Sequence, residues 1–367
     1  MDPVAPDYAG AAVTGVVPAL IGARGTGETV AWMPEPVAGA RAVVLLVLDG
    51  LGWHALRECA DRLPVLAAME GTPIRTVVPS TTAAALTSIT TGLAPSQHGV
   101  VGFRFRVDGT VLNALTWQQA NGRRGPAPIE VQRHDAFLGR PLPIITKAEF
   151  RTTGFTEVHL RGVQFNGWRT TSELVELCRN LARTTEPLVY AYYPGVDEVA
   201  HSHGLHDGFY AAELRATDRL VGDVLDALPD DVALLVTSDH GQVHLEPSSW
   251  RELGPVADLC EGYWGDARFR YLAAVRGATD ELAAEARRQF GADAWVLTRS
   301  ELVDRGWLGP PPSPAARRRL GDVVLAAKGD AVFVDPTFEL ERRLRSAHGS
   351  LTAAEMEVPL LAARGRG

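Results

Sequence analysis

Three uninterrupted apolar stretches, each of strand length, constrain the fold of this chain more than any other feature. They are AVVLLVLDG at 42–50, PLVYAYYPGVD at 187–197 and DVALLVTSDHG at 231–241. Continuous apolar runs that end in a Gly or Pro turn are typical of strands buried on both faces of a parallel sheet. Amphipathic helical patterns lie between them, at 53–69, 171–183 and 208–228. This alternation predicts an α/β fold with helices on both faces of the sheet.

The pattern changes after the third run. A strand-like RFRYLAAV, a helical TDELAAEARRQFG, a strand-like AWVLT and a basic helical PAARRRLGDVV follow one another. We interpret 257–327 as a small α+β insertion between two parts of one core, 1–256 and 328–367. We expect the chain to return to the main sheet near 329–334. A length of 367 residues is compatible with roughly two domains or with one large α/β domain that carries an insertion.

Composition excludes several classes of partner. The formal net charge is −8, whereas binding to phosphate backbones requires clustered cations, so we expect no nucleic-acid polymer as partner.

The longest apolar run, 42–48, is far shorter than the roughly 20 residues that span a bilayer. The N-terminal segment carries acids where a signal peptide has Lys or Arg. The three cysteines cannot all pair within one chain. We therefore expect a cytoplasmic protein without a membrane partner, and the sequence leaves its oligomeric state open.

Each of the three apolar strands ends close to an aspartate, namely Asp49, Asp197 and Asp239. In open α/β sheets, ligands bind outside the carboxyl ends of the parallel strands. A single Asp at such an end is explained as a turn former or a helix N-cap. Three negative charges at one edge are unfavourable unless cations neutralise them. The sequence therefore predicts a cation site at this edge of the sheet.

Two histidines accompany these acids. His201 follows Asp197 by four residues, which places both on one face of a helical turn, and His240 follows Asp239 directly. Taken singly, each histidine is more often a surface or hydrogen-bonded residue than a ligand. Together with Asp49 they form an Asp/His set suited to zinc.

A run of hydroxyl residues begins another helical pattern, VVPSTTAAALTSITTGLAPSQHG at 77–99. Ser80, Thr81 and Thr82 lie at the predicted start of a helix of small residues, where the helix dipole favours anions. One interpretation is that Ser80 or Thr81 caps this helix. The other is that a metal-held hydroxyl acts here as a nucleophile. The pattern alone leaves both open.

Five segments together resemble the type I phosphodiesterase/nucleotide pyrophosphatase family, part of the alkaline phosphatase superfamily of two-metal hydrolases. They are VLDGLG at 47–52, PSTTAAALTSITTGLAPSQHGVVGF at 79–103, YYPGVDEVAHSHG at 192–204, TSDHGQ at 237–242 and AHGSLTAAEMEVPLL at 347–361. The resemblance implies a three-layer α/β/α alkaline-phosphatase-like core with a mainly parallel sheet. It also implies two divalent metal ions, expected to be zinc, and a small-molecule phosphate ester as substrate.

The resemblance assigns roles residue by residue. It divides seven metal ligands into Asp49, Asp239, His240 and Thr82 for one ion and Asp197, His201 and His348 for the other. His348, in AHGS, rests on the match alone. Thr82 rather than Thr81 is the implied nucleophile, from the alignment of the Thr-Gly-Leu and His-Gly landmarks. Tyr192, five residues before Asp197, corresponds to a substrate contact.

Two positions depart from the nucleotide-cleaving members of the family. Ala83 follows the nucleophile where they have an aromatic residue, and Phe103 stands where they have an Asn. We expect hydrolysis of phosphodiester or nucleotide pyrophosphate bonds through a phosphothreonine intermediate. Phosphonate or phosphomonoester hydrolysis on the same metals is the enzymatic alternative, and a non-catalytic metal-stabilised module is the alternative from another class. A sulfatase is disfavoured, because no C/S-x-P-x-R sequence occurs near the nucleophile.

Overall fold

A computed structural model describes residues 2–26 and 30–367, with side chains described for 2–22 and 30–367. Its centre is a seven-stranded sheet in which the three predicted apolar strands are direct neighbours. In spatial order the strands are Glu70–Arg75, Glu357–Arg364, Val232–Thr237, Ala42–Leu48, Leu188–Tyr193, Pro143–Lys147 and Gln164–Trp168. The strand Ala42–Leu48 runs parallel to both of its neighbours, while Glu357–Arg364 is antiparallel to the strands beside it. The predicted mainly parallel sheet is confirmed.

Alternate side chains of the central strand Ala42–Leu48 enter two separate cores. Its odd-numbered residues lie in one apolar cluster and its even-numbered residues in another, as the two-residue period of a strand requires. Val13–Thr26 and Thr82–Thr91 cover the first face, and Thr171–Ala182 and Gly208–Ala227 cover the second. The result is the predicted three-layer α/β/α arrangement.

Shorter elements connect these layers. The remaining α-helices outside the second sheet described below are Trp53–Glu58, Pro64–Ala67, Pro95–His98, Pro128–Val131, Gly154–His159, Gly195–His203, Pro255–Asp258 and Ala353–Met356. The 3-10 helices are Glu35–Val37, Ala60–Arg62, Ala136–Gly139, Ala148–Thr152, Pro247–Ser249 and Glu339–Arg343. The small sheets are Arg104–Val107 with Thr110–Asn113 and Gln118–Gln119, Val243–His244 with Ser346–Ala347, and Trp250–Arg251 with Val332–Phe333. Among residues 2–26 and 30–367, no helix has the length and apolar character needed to cross a bilayer.

One predicted helix is interrupted. The amphipathic pattern at 53–69 predicts a single helix, but the structure has one helix ending at Glu58 and another beginning at Pro64. Proline has no N–H to donate and its ring clashes with the preceding turn, so it begins a helix rather than continuing one.

A second, antiparallel sheet lies between residues 260 and 327. Its strands in spatial order are Cys260–Asp266, Phe269–Ala274, Val323–Ala327 and Ala294–Thr298, and its helices are Thr279–Phe290, Arg299–Asp304 and Pro314–Arg319. The basic helix predicted to reach Val324 ends at Arg319, because the β-branched pair Val323 and Val324 joins this sheet.

The predicted return to the main sheet near 329–334 was wrong. The strand Val332–Phe333 pairs with Trp250–Arg251, and the chain rejoins the main sheet only at Glu357–Arg364. The physical reason is that Phe333 is fully buried in the apolar core of the second sheet, which holds this segment away from the main sheet.

A buried ion pair joins the second sheet to the loop that follows His348. Arg268 donates to the two carboxylate oxygens of Glu355 at 2.7 and 2.8 Å, and both side chains are 0% exposed. Glu355 also accepts hydrogen bonds from Ser350 N at 2.9 Å and Thr352 Oγ1 at 2.6 Å. The backbone carbonyl of Glu355 accepts a further bond from Gly241 N at 2.9 Å. One residue thus ties the second sheet to two turns of the core.

Replacing Arg268 with alanine should lower the free energy of unfolding by about 3–5 kcal/mol, because Glu355 would stay buried without its cation. Guanidinium unfolding measures this loss. The matched control is Arg366→Ala, which removes the exposed Arg366–Asp226 pair and should cost about 0–1 kcal/mol. Equal losses in the two variants would contradict the role given to Arg268.

Candidate active site

The carboxyl ends of three neighbouring strands bring Asp49, Asp197 and Asp239 together. Asp49 directly follows the middle strand, and Gly50 N donates to Asp239 Oδ1 at 3.2 Å. Asp197 lies in the helix Gly195–His203 that follows the neighbouring strand. Gly50 has φ +76°, and a Cβ there would lie 3.0 Å from Cβ of Asp197. Glycine is therefore required for this close approach.

Asp49, Asp239 and His240 form what we call the first cluster. His240 Nε2 lies 3.5 Å from Asp49 Oδ1 and 3.4 Å from Asp239 Oδ2. The three residues are at most 2% exposed. In the part of the chain that the structure describes, neither Asp49 Oδ1 nor Asp239 Oδ2 has a hydrogen-bond partner. Buried carboxylate oxygens without a donor are costly, and a bound cation would remove this cost.

Asp197, His201 and His348 form the second cluster. Asp197 Oδ1 lies 3.4 Å from His201 Nε2 and 3.9 Å from His348 Nε2, and the two Nε2 atoms are 3.2 Å apart. The ring of His348 stacks on that of His240, with centroids 3.6 Å apart. Asp197, His240 and His348 also offer ligand atoms that all lie within 4.8 Å of one another. His240 therefore borders both clusters.

The orientation of the imidazole rings fits metal binding. Each ring directs Nδ1 at a backbone carbonyl oxygen. The Nδ1–O distances are 2.9 Å from His201 to Ser346, 2.9 Å from His348 to Ser80 and 3.2 Å from His240 to Gly241. An Nδ1–H donated in this way leaves the lone pair of Nε2 free for a metal ion. Ligands about 2.0–2.1 Å from a tetrahedral ion are about 3.3 Å apart, close to most of the separations within the clusters. The residues present thus fit bound metal ions.

The electrostatics of the site also favour a cation. Burial raises the pKa of Asp49 well above its ordinary value, and the charges of Asp239 and Asp197 raise it further. Burial also raises the pKa of Asp239. Burial, followed by the charge of His240, holds the pKa of His348 well below its ordinary value. The site therefore disfavours its own negative charges, and a bound cation would compensate them.

The hydroxyl of Thr82 contacts the first cluster. Thr82 is the first residue of the helix Thr82–Thr91, and its Oγ1 lies 3.1 Å from His240 Nε2. Thr81 occupies the N-cap position without a side-chain capping bond, and its buried Oγ1 has no hydrogen-bond partner in the described chain. Ser80 Oγ donates to Ser350 O at 2.7 Å. The capping interpretation of Ser80 or Thr81 is therefore not what the structure has.

Tyr192 lies beside the first cluster. Its hydroxyl donates to Asp49 Oδ2, and its ring lies 6.5 Å from that of Phe150. Tyr192 is 8% exposed and lines a cavity next to Thr82. A substrate contact by Tyr192 stays a prediction, and the structure adds a role in holding Asp49.

Gln242 was missed by the sequence analysis. Its Nε2 donates to Asp197 Oδ1 at 2.9 Å, and its Oε1 accepts from Ser346 Oγ. The available signal was its place in TSDHGQ, three residues after Asp239. Gln242 orients Asp197 in the second cluster.

Two cavities meet at Thr82. The first cavity, of about 210 Å³, is lined by Tyr192 and Phe150 among others. The second cavity, of about 290 Å³, includes Phe103 in its lining. Thr82, Asp197 and Leu115 border both cavities. A phosphorus atom placed at Thr82 would have space for a substituent on either side.

Residues 43–351 match the profile of the type I phosphodiesterase/nucleotide pyrophosphatase family. The chain belongs to this family. Membership confirms the expected class, an enzyme that hydrolyses phosphoric ester bonds, and the family is metal-dependent, in agreement with the two clusters. No significant match is found among curated proteins.

Solved structures of similar fold include two kinds of enzyme. Human ectonucleotide pyrophosphatase/phosphodiesterase 5 aligns with a TM-score of 0.67 at 15% identity, over 88% of this chain and 87% of that chain. An inactive variant of the murine protein in complex with AMP aligns with a TM-score of 0.64 at 15% identity, over 87% of each chain. Phosphonoacetate hydrolase from Sinorhizobium meliloti 1021, in complex with phosphonoacetate, aligns with a TM-score of 0.63 at 17% identity, over 89% of this chain and 91% of that chain. The alkaline-phosphatase-type fold is thus confirmed.

Adding a divalent metal salt to chelator-treated protein should raise its melting temperature, since metal binding stabilises the native state by about 2.7 kcal/mol at 100 times Kd. A zinc titration followed by thermal unfolding measures the shift. Asp49→Asn should reduce it, because a carboxylate charge is lost with little change in shape. The control is Asp223→Asn at an exposed position, and a shift of equal size in both variants would contradict metal binding at Asp49.

Proposed function

We propose that this chain is a two-metal phosphodiesterase in which Thr82 is the nucleophile. The observation that carries the proposal is the position of the Thr82 hydroxyl. Its Oγ1 lies 3.1 Å from His240 Nε2, and Thr82 borders both cavities. A hydroxyl at a helix start, beside a buried Asp/His cluster, suits nucleophilic attack on an anionic phosphate.

The metal ions of the proposal are two zinc ions. The residues that would hold them are Asp49, Asp239, His240 and Thr82 for one, and Asp197, His201 and His348 for the other. Imidazole nitrogen and carboxylate oxygen are ligands that zinc prefers. When bound, zinc supplies charge that offsets the phosphate and lowers the pKa of a coordinated hydroxyl. The support is the unpartnered Asp49 Oδ1 and Asp239 Oδ2 in the described chain.

The protein's own contribution is to position the reacting groups. Thr82 Oγ1 forms a bond to phosphorus while the alcohol of the ester departs on the opposite side. Water then hydrolyses the phosphothreonine and restores the hydroxyl. The first turn of Thr82–Thr91 offers N–H groups without intrahelical partners to the phosphoryl oxygens. Gln242 and Tyr192 hold Asp197 and Asp49 in place during both steps.

The two cavities favour a diester over the alternatives. A phosphodiester has two substituents, whereas a phosphomonoester has one. Phosphonoacetate, the ligand in the Sinorhizobium structure, has a single carbon substituent on phosphorus, which would occupy only one of the two cavities. The seven residues of the proposed metal set are all present, which argues against a non-catalytic module. The substrate we propose is a small molecule.

We also propose a cytoplasmic location for the protein. The support is that its three cysteines, Cys59, Cys178 and Cys260, are free thiols.

Protein resupplied with zinc and dialysed should retain about two metal ions per chain, as a two-metal mechanism requires. Inductively coupled plasma mass spectrometry measures the content. His348→Ala and Asp239→Asn should each lower it to about one, since each removes a ligand from a different cluster. A wild-type protein that keeps no zinc under these conditions would overturn the two-metal proposal.

Replacing Thr82 with alanine should lower kcat for diester hydrolysis by several orders of magnitude, since the covalent step loses its nucleophile. Thr82→Ser should keep partial activity, because the oxygen remains. The assay uses bis-p-nitrophenyl phosphate with saturating zinc, and p-nitrophenyl phosphate, a nucleotide pyrophosphate and phosphonoacetate as comparison substrates. Melting temperatures establish that each variant is folded.

Thr81→Ala tests the register of the nucleophile. Its hydroxyl has no hydrogen-bond partner in the described chain, so activity should persist. A folded, inactive Thr81→Ala together with an active Thr82→Ala would place the nucleophile at Thr81. A preference for the monoester or for phosphonoacetate over every diester would instead support the alternative activities.

A further inference from the structure

The second cavity contains two carboxylates that the proposed chemistry does not use. Asp266 ends the strand Cys260–Asp266, and Glu341 lies in the short helix Glu339–Arg343. They are 7% and 6% exposed, and both line the cavity that opens at Thr82. Acidic side chains that are this buried require partners.

Each of these carboxylates keeps one oxygen without a hydrogen bond. Asp266 Oδ2 accepts from Phe103 N at 3.2 Å, and Glu341 Oε2 accepts from Arg270 Nη2. Asp266 Oδ1 and Glu341 Oε1 accept none from the residues that the structure describes. Two free acceptors therefore belong to one cavity beside the nucleophile, and a ligand with N–H or O–H groups would satisfy them.

The charged side chains near Asp266 and Glu341 do not balance. Arg104 donates to Asp335 at 2.6 Å, and Arg270 pairs with Glu341 and lies 3.6 Å from Asp335. Asp266 has no ion pair within the described residues. Among these five side chains, three carboxylates share two guanidinium groups, and Asp266 is the carboxylate left without an ion pair. Asp197, which also lines the cavity, is assigned to the proposed metal set. The unpaired charge of Asp266 favours a cationic ligand over a neutral hydroxyl donor.

The burial of Asp266 favours a cationic partner. Burial raises the pKa of Asp266 to about 7, although the Phe103 N–H bond lowers it. The rings of Phe103 and Phe338, with centroids 6.3 Å apart, line the same cavity and give it an apolar wall. A charged hydrogen bond formed in such a place is stronger than one formed in water.

We propose that the second cavity binds a primary ammonium group carried by one substituent of the phosphodiester, with Asp266 and Glu341 accepting its N–H bonds. This inference rests on the proposed function, since it names the substrate class of the same site. The phosphate lies at Thr82 and the ammonium group at the acidic end of the cavity. The substrate is therefore a zwitterionic aminoalkyl phosphodiester.

Three p-nitrophenyl diesters that differ only in the second substituent test the proposal. The substituents are 2-aminoethyl, 2-hydroxyethyl and propyl, which are similar in size and differ in charge and hydrogen bonding. We expect kcat/KM for the aminoethyl diester to exceed that for the propyl diester by about tenfold or more, with the hydroxyethyl diester near propyl. In Asp266→Asn the aminoethyl-to-propyl ratio should fall to about 1 to 3, by loss of the charged partner. The exposed control Asp223→Asn should keep the wild-type ratio.

Binding separates this proposal from the proposed function. Isothermal titration calorimetry on zinc-loaded Thr82→Ala, which lacks the nucleophile and keeps Asp266 and Glu341, should show about tenfold tighter binding of the aminoethyl diester than of the propyl diester. Hydrolysis of all three diesters at equal kcat/KM would overturn the ammonium site and leave the phosphodiesterase standing. Equal kcat/KM values for the hydroxyethyl and aminoethyl diesters would also overturn the ammonium site. Selective binding of the aminoethyl diester without hydrolysis of any diester by the wild-type protein would support the ammonium site and overturn the proposed function.

Discussion

The confinement of three aspartates to one edge of a rigid sheet is the electrostatic constraint on which the site depends. Asp49 follows a strand whose residues are all buried between two apolar cores, so it cannot move away from Asp239 and Asp197 without disturbing both layers. Burial of like charges is unfavourable and is tolerated where cations compensate them. The packing of the sheet thus holds the three carboxylates close together. The imidazoles of His201 and His240 add nitrogen ligands beside them, which gives an arrangement suited to metal binding.

Much of this site could be predicted from local sequence patterns, because its parts obey short periods. A buried strand has a continuous apolar sequence, so the amino-acid pattern alone places the acids at the strand ends along one edge of the sheet. The i, i+4 spacing of Asp197 and His201 follows the period of a helix. His348 had no such signal. It reaches the second cluster through the pairing of Ser346–Ala347 with Val243–His244, a contact between segments about a hundred residues apart.

The parts that could not be predicted depend on tertiary packing. The basic pattern before Val323 is compatible with a longer helix, and it is the neighbouring strands that convert Val323–Ala327 into a strand. The role of Gln242 depends on two partners distant in sequence. Asp266 and Glu341 share a cavity only because the second sheet packs over the core near Thr82. The division into a core at 1–256 and 328–367 with an insertion at 257–327 stays a prediction.

The bonds made by Glu355 have a consequence for how this protein can be altered. This residue joins Arg268 of the second sheet, Ser350 in the turn after His348, and Gly241 beside His240. The second sheet is therefore no exchangeable module. Replacing the second sheet with a different one to change the substrate would remove the support of the two turns that carry His240 and His348. A new specificity would therefore have to be selected together with a new partner for Glu355.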